Sequence, residues 1–243
     1  MNVSLVLILA FFTSALSGVL GMAGGSILMA GMVLFLPVST AMVLHALIQF
    51  VANGTRAIVL RQHLSLGLLI PYVVGAGVAL AVFISLAFTP SANLVLILIG
   101  LFPLAAELRL FPRDMDITRP LTGIVCGLVV TSAQLLAGVA GPVLDSFYQQ
   151  SPLQRQSIVA NKALTQALGH SIRMLYYGFL LALPSDLPMW VLGVAIAVAM
   201  LGTQAGTALL QRWNEDDFRK ISRWVILSVA TLCLGRGLYG ALV

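Results

Sequence analysis

The sequence predicts an all-α integral membrane protein, a helical bundle of two inverted repeats with four to five helical segments in each. Three observations lead there. Sixty per cent of the 243 residues are hydrophobic, 9% are charged, and the mean hydropathy is +1.03. A soluble chain this apolar would lack the polar surface that keeps it in solution. The apolar residues form runs of membrane-crossing length, about 20 residues at roughly 1.5 Å each. Period-2 alternation is absent, which excludes a β-barrel. Finally, the basic residues gather in a few short connections.

In chain order, the long apolar runs are 3–20, 41–60, 66–88, 93–110, 158–183, 189–210 and 221–243. The run 121–136 is shorter, and 26–36 and 142–147 are too short to cross. The first run is expected to stay as structure. Ser17 and Gly18 close it as in a signal peptide, but no Lys or Arg precedes it. Cys126 and Cys233 lie inside apolar runs and read as small packing residues. Their spacing suits no metal, so neither a metal nor a cofactor is expected. A net charge of +5 and a pI near 9.7 could suit nucleic acid. No polar domain exists to carry such a surface, and that class is excluded.

Charge placement sets the expected topology. Arg56 and Arg61 flank one connection, Arg109, Arg113 and Arg119 a second, Arg155 a third, and Arg212, Arg219, Lys220 and Arg223 a fourth. The connections near Pro37, Pro90 and Pro184 carry no basic residue. Lys and Arg accumulate on the cytoplasmic side. The four basic connections should therefore be cytoplasmic, with both termini outside and the chain in the inner (plasma) membrane. Run 41–60 must then enter the cytoplasm, and the second half must begin there and finish outside. Residues 1–118 and 119–243 become two repeats of one transmembrane domain, related by inversion.

An internal repeat agrees with this division. A shift of 117 residues places Gly21 on Gly138, Ala23 on Ala140, Gly24 on Gly141, Gln49 on Gln166 and Arg56 on Arg173 without a gap. Gly, Ala and Leu matches arise easily in an apolar chain, whereas Gln on Gln and Arg on Arg do not. In secondary transporters, inverted repeats place the substrate near the midplane, at short segments interrupted by Gly or Pro. Such segments occur here at Gly18, Gly21, Gly24 and Gly25, and again at Gly138, Gly141 and Pro142. Each is expected to be a broken helix or re-entrant hairpin. Backbone freed in this way persists in a membrane only where protein buries it or a wet cavity lines it. The helix restarting after each break presents its N-terminal N–H groups, and two facing one another would hold an anion.

Polar side chains inside apolar runs mark function. His45, Gln49, Asn53 and Arg56 follow one another at spacings of four, four and three, which puts them on one helix face. Lys162, Gln166, His170 and Arg173 repeat that spacing in the second half. Cations, amide donors and histidines suit an anion. The expected substrate-binding residues are Gly21, Gly24, Gly25, Gln49, Asn53, Gly138, Gly141, Pro142, Lys162, Gln166, His170 and Arg173. Asp145 is the only acidic residue near them and could pair with Lys162 or Arg173. Arg236 is read as reaching the outer interface.

These residues carry a resemblance. Ser17, Gly18, Gly21, Gly24 and Gly25, with their echo at Gly138, Gly141 and Pro142, resemble the sulfite exporter (TauE/SafE) family. So does the stretch 155–170 with Tyr177 and Gly178. The likeness runs over nearly the whole chain. It implies a carrier in the lipid bilayer, not an enzyme, for sulfite, a sulfonate or a related small anion. The inverted repeats suit alternating access around a midplane site, and His170 offers a group for coupling to a proton. Two positions depart from the family pattern: Ala23 and Pro142 stand where glycine is frequent.

Two alternatives stand beside this reading. Leu36-Pro37-Val38-Ser39-Thr40 resembles a segment of the undecaprenyl-diphosphate phosphatase family. That chemistry needs acidic residues ahead of the motif, and none precedes Glu107. The other is a non-transporting membrane subunit that assists assembly of a partner complex, through loops such as 109–119.

Overall fold

The computed structural model describes residues 7–8, 10–12, 14–15, 22–112, 115–180, 189–210 and 215–243. Gly18, Gly21, Arg113, Arg212 and the connection near Pro184 lie outside the described residues. Within them the chain is helical and contains no strand. After helical residues between 7 and 15, α1 (Met22–Phe35) leads through Pro37 into α2 (Val38–Val59), α3 (Leu69–Leu86) and α4 (Ala92–Glu107). The second half holds α5 (Pro120–Ala137), the short α6 (Gly141–Tyr148), α7 (Arg155–Met174), α8 (Met189–Leu210) and α9 (Glu215–Leu242). A π-helical turn, Leu175–Leu180, continues α7.

Local chemistry sets these boundaries. Pro120 opens α5, where a missing N–H costs nothing. Gly138 closes it with a left-handed φ of 73°. The Ser91 hydroxyl accepts the Leu94 N–H at 3.2 Å and caps α4. Among the described residues, four helices are long and apolar enough to cross a membrane: Val38–Val59, Leu66–Leu86, Pro120–Ala137 and Arg223–Leu242. At 22 residues the first is roughly 33 Å long. The run 121–136 thus reaches spanning length despite its apparent shortness, because Pro120 and Ala137 extend its helix to 18 residues. Run 93–110 gives only 16 helical residues, since the chain turns left-handed at Arg109, with φ of 56°.

Pairing between the halves places the site. α2 packs antiparallel on α7, and α4 antiparallel on α9. α3 packs on α5, where Gly75 faces the backbone of Ile124 and Leu128, and Gly127 faces that of Tyr72 and Ala76. α8 meets the first helical residues in the same way, with Gly202 against Phe11 and Gly206 against Ala15. Two apolar cores flank the α2–α7 pair. One holds Met29, Met32, Leu44, Ile99 and Tyr176, and the other holds Tyr72, Val130, Leu144 and Phe147.

The basic connections share one end of the bundle. Ser157 Oγ donates to the His63 carbonyl at 2.8 Å, and the Ser65 N–H donates to Asn161 Oδ1 at 3.0 Å. The Ile117 N–H bonds the Phe147 carbonyl at 3.0 Å, and Arg223 pairs with Glu107. The bond from Ile117 to Phe147 also brings the end of α6 back beside the start of α5. At eight residues, α6 is about 12 Å long and too short to cross. The segment from Pro120 to Tyr148 therefore folds back on itself at Gly138, as a helical hairpin with one long arm and one short arm. Asp116 sits in the half-buried loop before it, where the Thr118 N–H and hydroxyl hold its carboxyl below the usual carboxylate range.

Candidate functional site

A cavity of about 40 Å³ lies between the halves, along the α2–α7 seam. One water needs roughly 10–15 Å³, so there is room for a few waters or one small oxyanion. α2 contributes His45, Gln49, Ala52, Asn53 and Arg56, one side of a helix. α7 contributes Gln166 and His170, the second break contributes Gly138, Val139, Ala140 and Gly141, and Gly25 comes from α1. Gln134 of α5 and Thr203 of α8 complete the wall.

Burial is graded along the seam. His45 is 1% exposed, Gln49 8% and Asn53 3%, whereas Arg56 at the end of the stripe is exposed. On antiparallel α7 the trend runs the other way, from half-buried Lys162 to Arg173 at 0%. The cavity therefore opens at the end that carries the basic connections and closes at the His45–Arg173 level.

The closed end is a line of hydrogen bonds. Arg173 donates through Nη1 to the Gly138 carbonyl, and through Nη2 to His45 Nδ1 at 2.6 Å. His45 in turn donates from Nε2 to the Gly25 carbonyl at 2.8 Å. These bonds define a neutral His45 tautomer, with the proton on Nε2. They tie Gly25 in the first half to Gly138 in the second. Gly138 is fixed twice over, by its positive φ and by close neighbours. A Cβ there would lie 2.8 Å from Met29 Sδ and 2.9 Å from Arg173 Nη1. At Gly25 a Cβ would come within 2.7 Å of Gln49 Nε2.

Charge is unbalanced at this floor. Among the described residues Arg173 has no carboxylate partner, and its Nε makes no hydrogen bond. His170, its ring 5.9 Å from that of His45, leaves Nδ1 unpartnered and buried. Ala140, ahead of α6, offers no side-chain cap, so the first N–H groups of that helix stay available beside the cavity. Pro142 contributes none of them.

Seven of the residues expected from the sequence line the cavity: Gly25, Gln49, Asn53, Gly138, Gly141, Gln166 and His170. Four described ones do not. Gly24 is buried beside Gly25 in α1, Pro142 stands in the first turn of α6, and Arg173 lies behind His45 and Gly138. Lys162 is paired with Asp145 of α6. Gly21 is outside the described residues. His45 and Arg56 were legible in the stripe but not among the expected contacts. Thr203 gave no signal, but an amide inside an apolar run one turn before a glycine break could have marked Gln134.

The Lys162–Asp145 pair holds α6 against α7. Asp145→Asn is expected to destabilise the protein by about 1–3 kcal/mol, less than a fully buried pair would cost because both groups are partly exposed. Asp145→Asn with Lys162→Gln should recover most of the loss. Thermal unfolding in detergent checks both, and equal melting of single and double variants would deny the pair that role.

In comparisons with known proteins, residues 6–232 match the model of the family described as Sulfite exporter TauE/SafE. No curated protein and no solved structure matches the chain.

Proposed function

The chain belongs to the sulfite exporter TauE/SafE family, and from that premise we propose that it is a secondary transporter moving a small oxyanion across the inner membrane by alternating access. The observation that carries the proposal is Arg173. A guanidinium at 0% exposure in a membrane bundle, bonded among the described residues only to a carbonyl and a neutral histidine, is there a buried charge without a counter-ion. An anion in the adjoining cavity would supply that counter-ion. Arg56 at the mouth would attract it, and the amides of Gln49, Asn53 and Gln166 would orient it. The α6 N-terminus would add N–H groups and the positive end of a short helix dipole.

Residues 1–118 and 119–243 act as inverted repeats in this proposal. Supporting it, α2 and α7, equivalent at the 117-residue shift, pair across the middle, and α4 pairs with α9, each the last described helix of its half. The remaining contacts are reciprocal, since α3 packs on the first helix of the second half and α8 on that of the first. The cavity, open at the Arg56 end, represents one of two access states. With the basic connections cytoplasmic, it is the inward-facing one, and the Gly138–Arg173–His45–Gly25 line is the closed outer gate.

Proteoliposome flux tests the proposal, with sulfite, thiosulfate, sulfonates and small carboxylates, each with and without a pH gradient. Saturable flux of one class is expected; a folded protein that moves none would refute transport and favour an assembly subunit. Orientation has its own test. Arg56→Cys should react with a membrane-impermeant thiol reagent added from the cytoplasmic side at least about tenfold faster than Arg173→Cys, following their exposures. Faster reaction from the outside would invert the assigned topology.

A further inference from the structure

The α2–α7 seam carries a second pair of facing positions, at its open end. The two helices are antiparallel and meet where Arg173 bonds His45. Eleven residues of α-helix make three turns and about 16 Å, so a step of eleven keeps the face and changes only the depth. That step leads from His45 to Arg56 on α2, and from Arg173 back to Lys162 on α7. Arg56 and Lys162 therefore lie at one level and face each other as His45 and Arg173 do at the closed end. The helices remain side by side there. Just beyond α2, the Ser65 N–H donates to Asn161 of α7, and the His63 carbonyl accepts from Ser157. At the 117-residue shift the two levels are equivalent, with Arg56 on Arg173 and His45 on Lys162.

One exchange separates the two levels. His45 accepts from Arg173, whereas the Lys162 ammonium has no lone pair to offer Arg56. Folded over the mouth, Arg56 would meet a like charge, and Asp145 changes that. Its carboxylate comes from α6 onto Lys162, and at 37% exposure it keeps an open side. A carboxylate accepts at about four lone-pair sites, so it can hold the ammonium and a guanidinium together. Packed helices lie about 8–10 Å apart, a gap that a long arginine side chain crosses. We infer that Asp145, steadied by Lys162, is the acceptor onto which Arg56 folds when the cytoplasmic end closes, so that these three residues form the inner gate. Asp145 and Lys162 are positioning residues in this role and do not touch the transported anion. This rests on the alternating-access proposal and supplies the gate of its other state.

Thiol labelling from each side of the membrane reads the gate. Ala52 lines the cavity, lies between the two levels, and has no hydrogen-bonding side chain to lose. Ala52→Cys is made in a parent whose buried cysteines are removed by Cys126→Ala and Cys233→Ala. A membrane-impermeant thiol reagent is added from the cytoplasmic side or from outside, in vesicles of each orientation. The parent should react from both sides, faster from the cytoplasm.

Adding Arg56→Gln should slow the outside reaction about tenfold, the scale of one charge-assisted hydrogen bond in the state it stabilises. The cytoplasmic rate should change by less than about twofold. Asp145→Asn with Lys162→Gln should have the same effect, and all three changes together should slow the reaction no further, because the partners act as one unit. Melting in detergent is read beside the rates, since a merely structural pair would lower melting and leave the side preference alone. A side preference that survives Arg56→Gln, or one that Arg56→Gln shifts and the double variant does not, would overturn the inference and leave alternating access standing. If the parent reacts from the cytoplasmic side alone, alternating access fails and the inner gate fails with it.

Discussion

Arg173→Gln is expected to reduce anion flux by about 100-fold or more. Removing one partner of a buried, hydrogen-bonded charge pair costs about 2–5 kcal/mol, and each 1.4 kcal/mol is a factor of ten. The variant removes the uncompensated charge and both bonds from its guanidinium, to the Gly138 carbonyl and to His45 Nδ1. Some stability is lost as well, because those acceptors are left unmet. Arg173→Lys separates the two effects. It keeps the charge, but an ammonium is a point donor without the planar fork that reaches Gly138 and His45 together. Its flux should fall only about tenfold. Proteoliposome flux normalised to monodisperse protein, with melting temperatures beside it, reads both. Full flux in either folded variant would remove Arg173 from the mechanism.

Gly127→Val should cost most of the folded protein. Its Cβ would collide with the Tyr72 carbonyl and crowd the Ala76 nitrogen, backbone atoms that cannot rotate away. Overpacking against side chains costs about 1–3 kcal/mol, and a backbone clash exceeds that range. A fall in melting temperature of about 10 °C or more is expected, at roughly 2–4 °C per kcal/mol for a chain of this size. Gly77→Ala, on the same pair of helices but with open space at its Cβ, is the control. It should melt within about 2 °C of the parent, since Ala favours the helix. If both variants melt like the parent, the close crossing of α3 and α5 does not limit stability.

How much of this was legible in the sequence varied with the physics involved. The second glycine break was plain, because Gly138 followed three residues later by Gly141 and Pro142 is a strong local signal. The polar stripe of α2 was plain from its spacing alone. Partner choice was not. Asp145 could have met Lys162 or Arg173, which lie three turns apart on one helix, and in the folded chain it meets Lys162. Gln134 went unselected because its place in the cavity wall depends on how α5 packs on α7, where its carboxamide meets Gly169, 35 residues away. The floor was equally hidden, since the contact between His45 and Arg173 joins residues 128 apart.

The sequence by itself determined that this chain is a multi-pass α-helical membrane protein, that its second half breaks at Gly138, and which faces of two helices are polar. Those properties follow from hydropathy and helical period, which each segment carries whatever surrounds it. Only the tertiary structure decided that the cavity closes at Arg173 and opens at Arg56, that Lys162 is occupied by Asp145, and that Gln134 belongs to the wall. Such outcomes depend on the rotation and crossing of packed helices. In a close-packed interior a shift of a few ångströms exchanges one hydrogen-bond partner for another, and no local stretch of sequence encodes that choice.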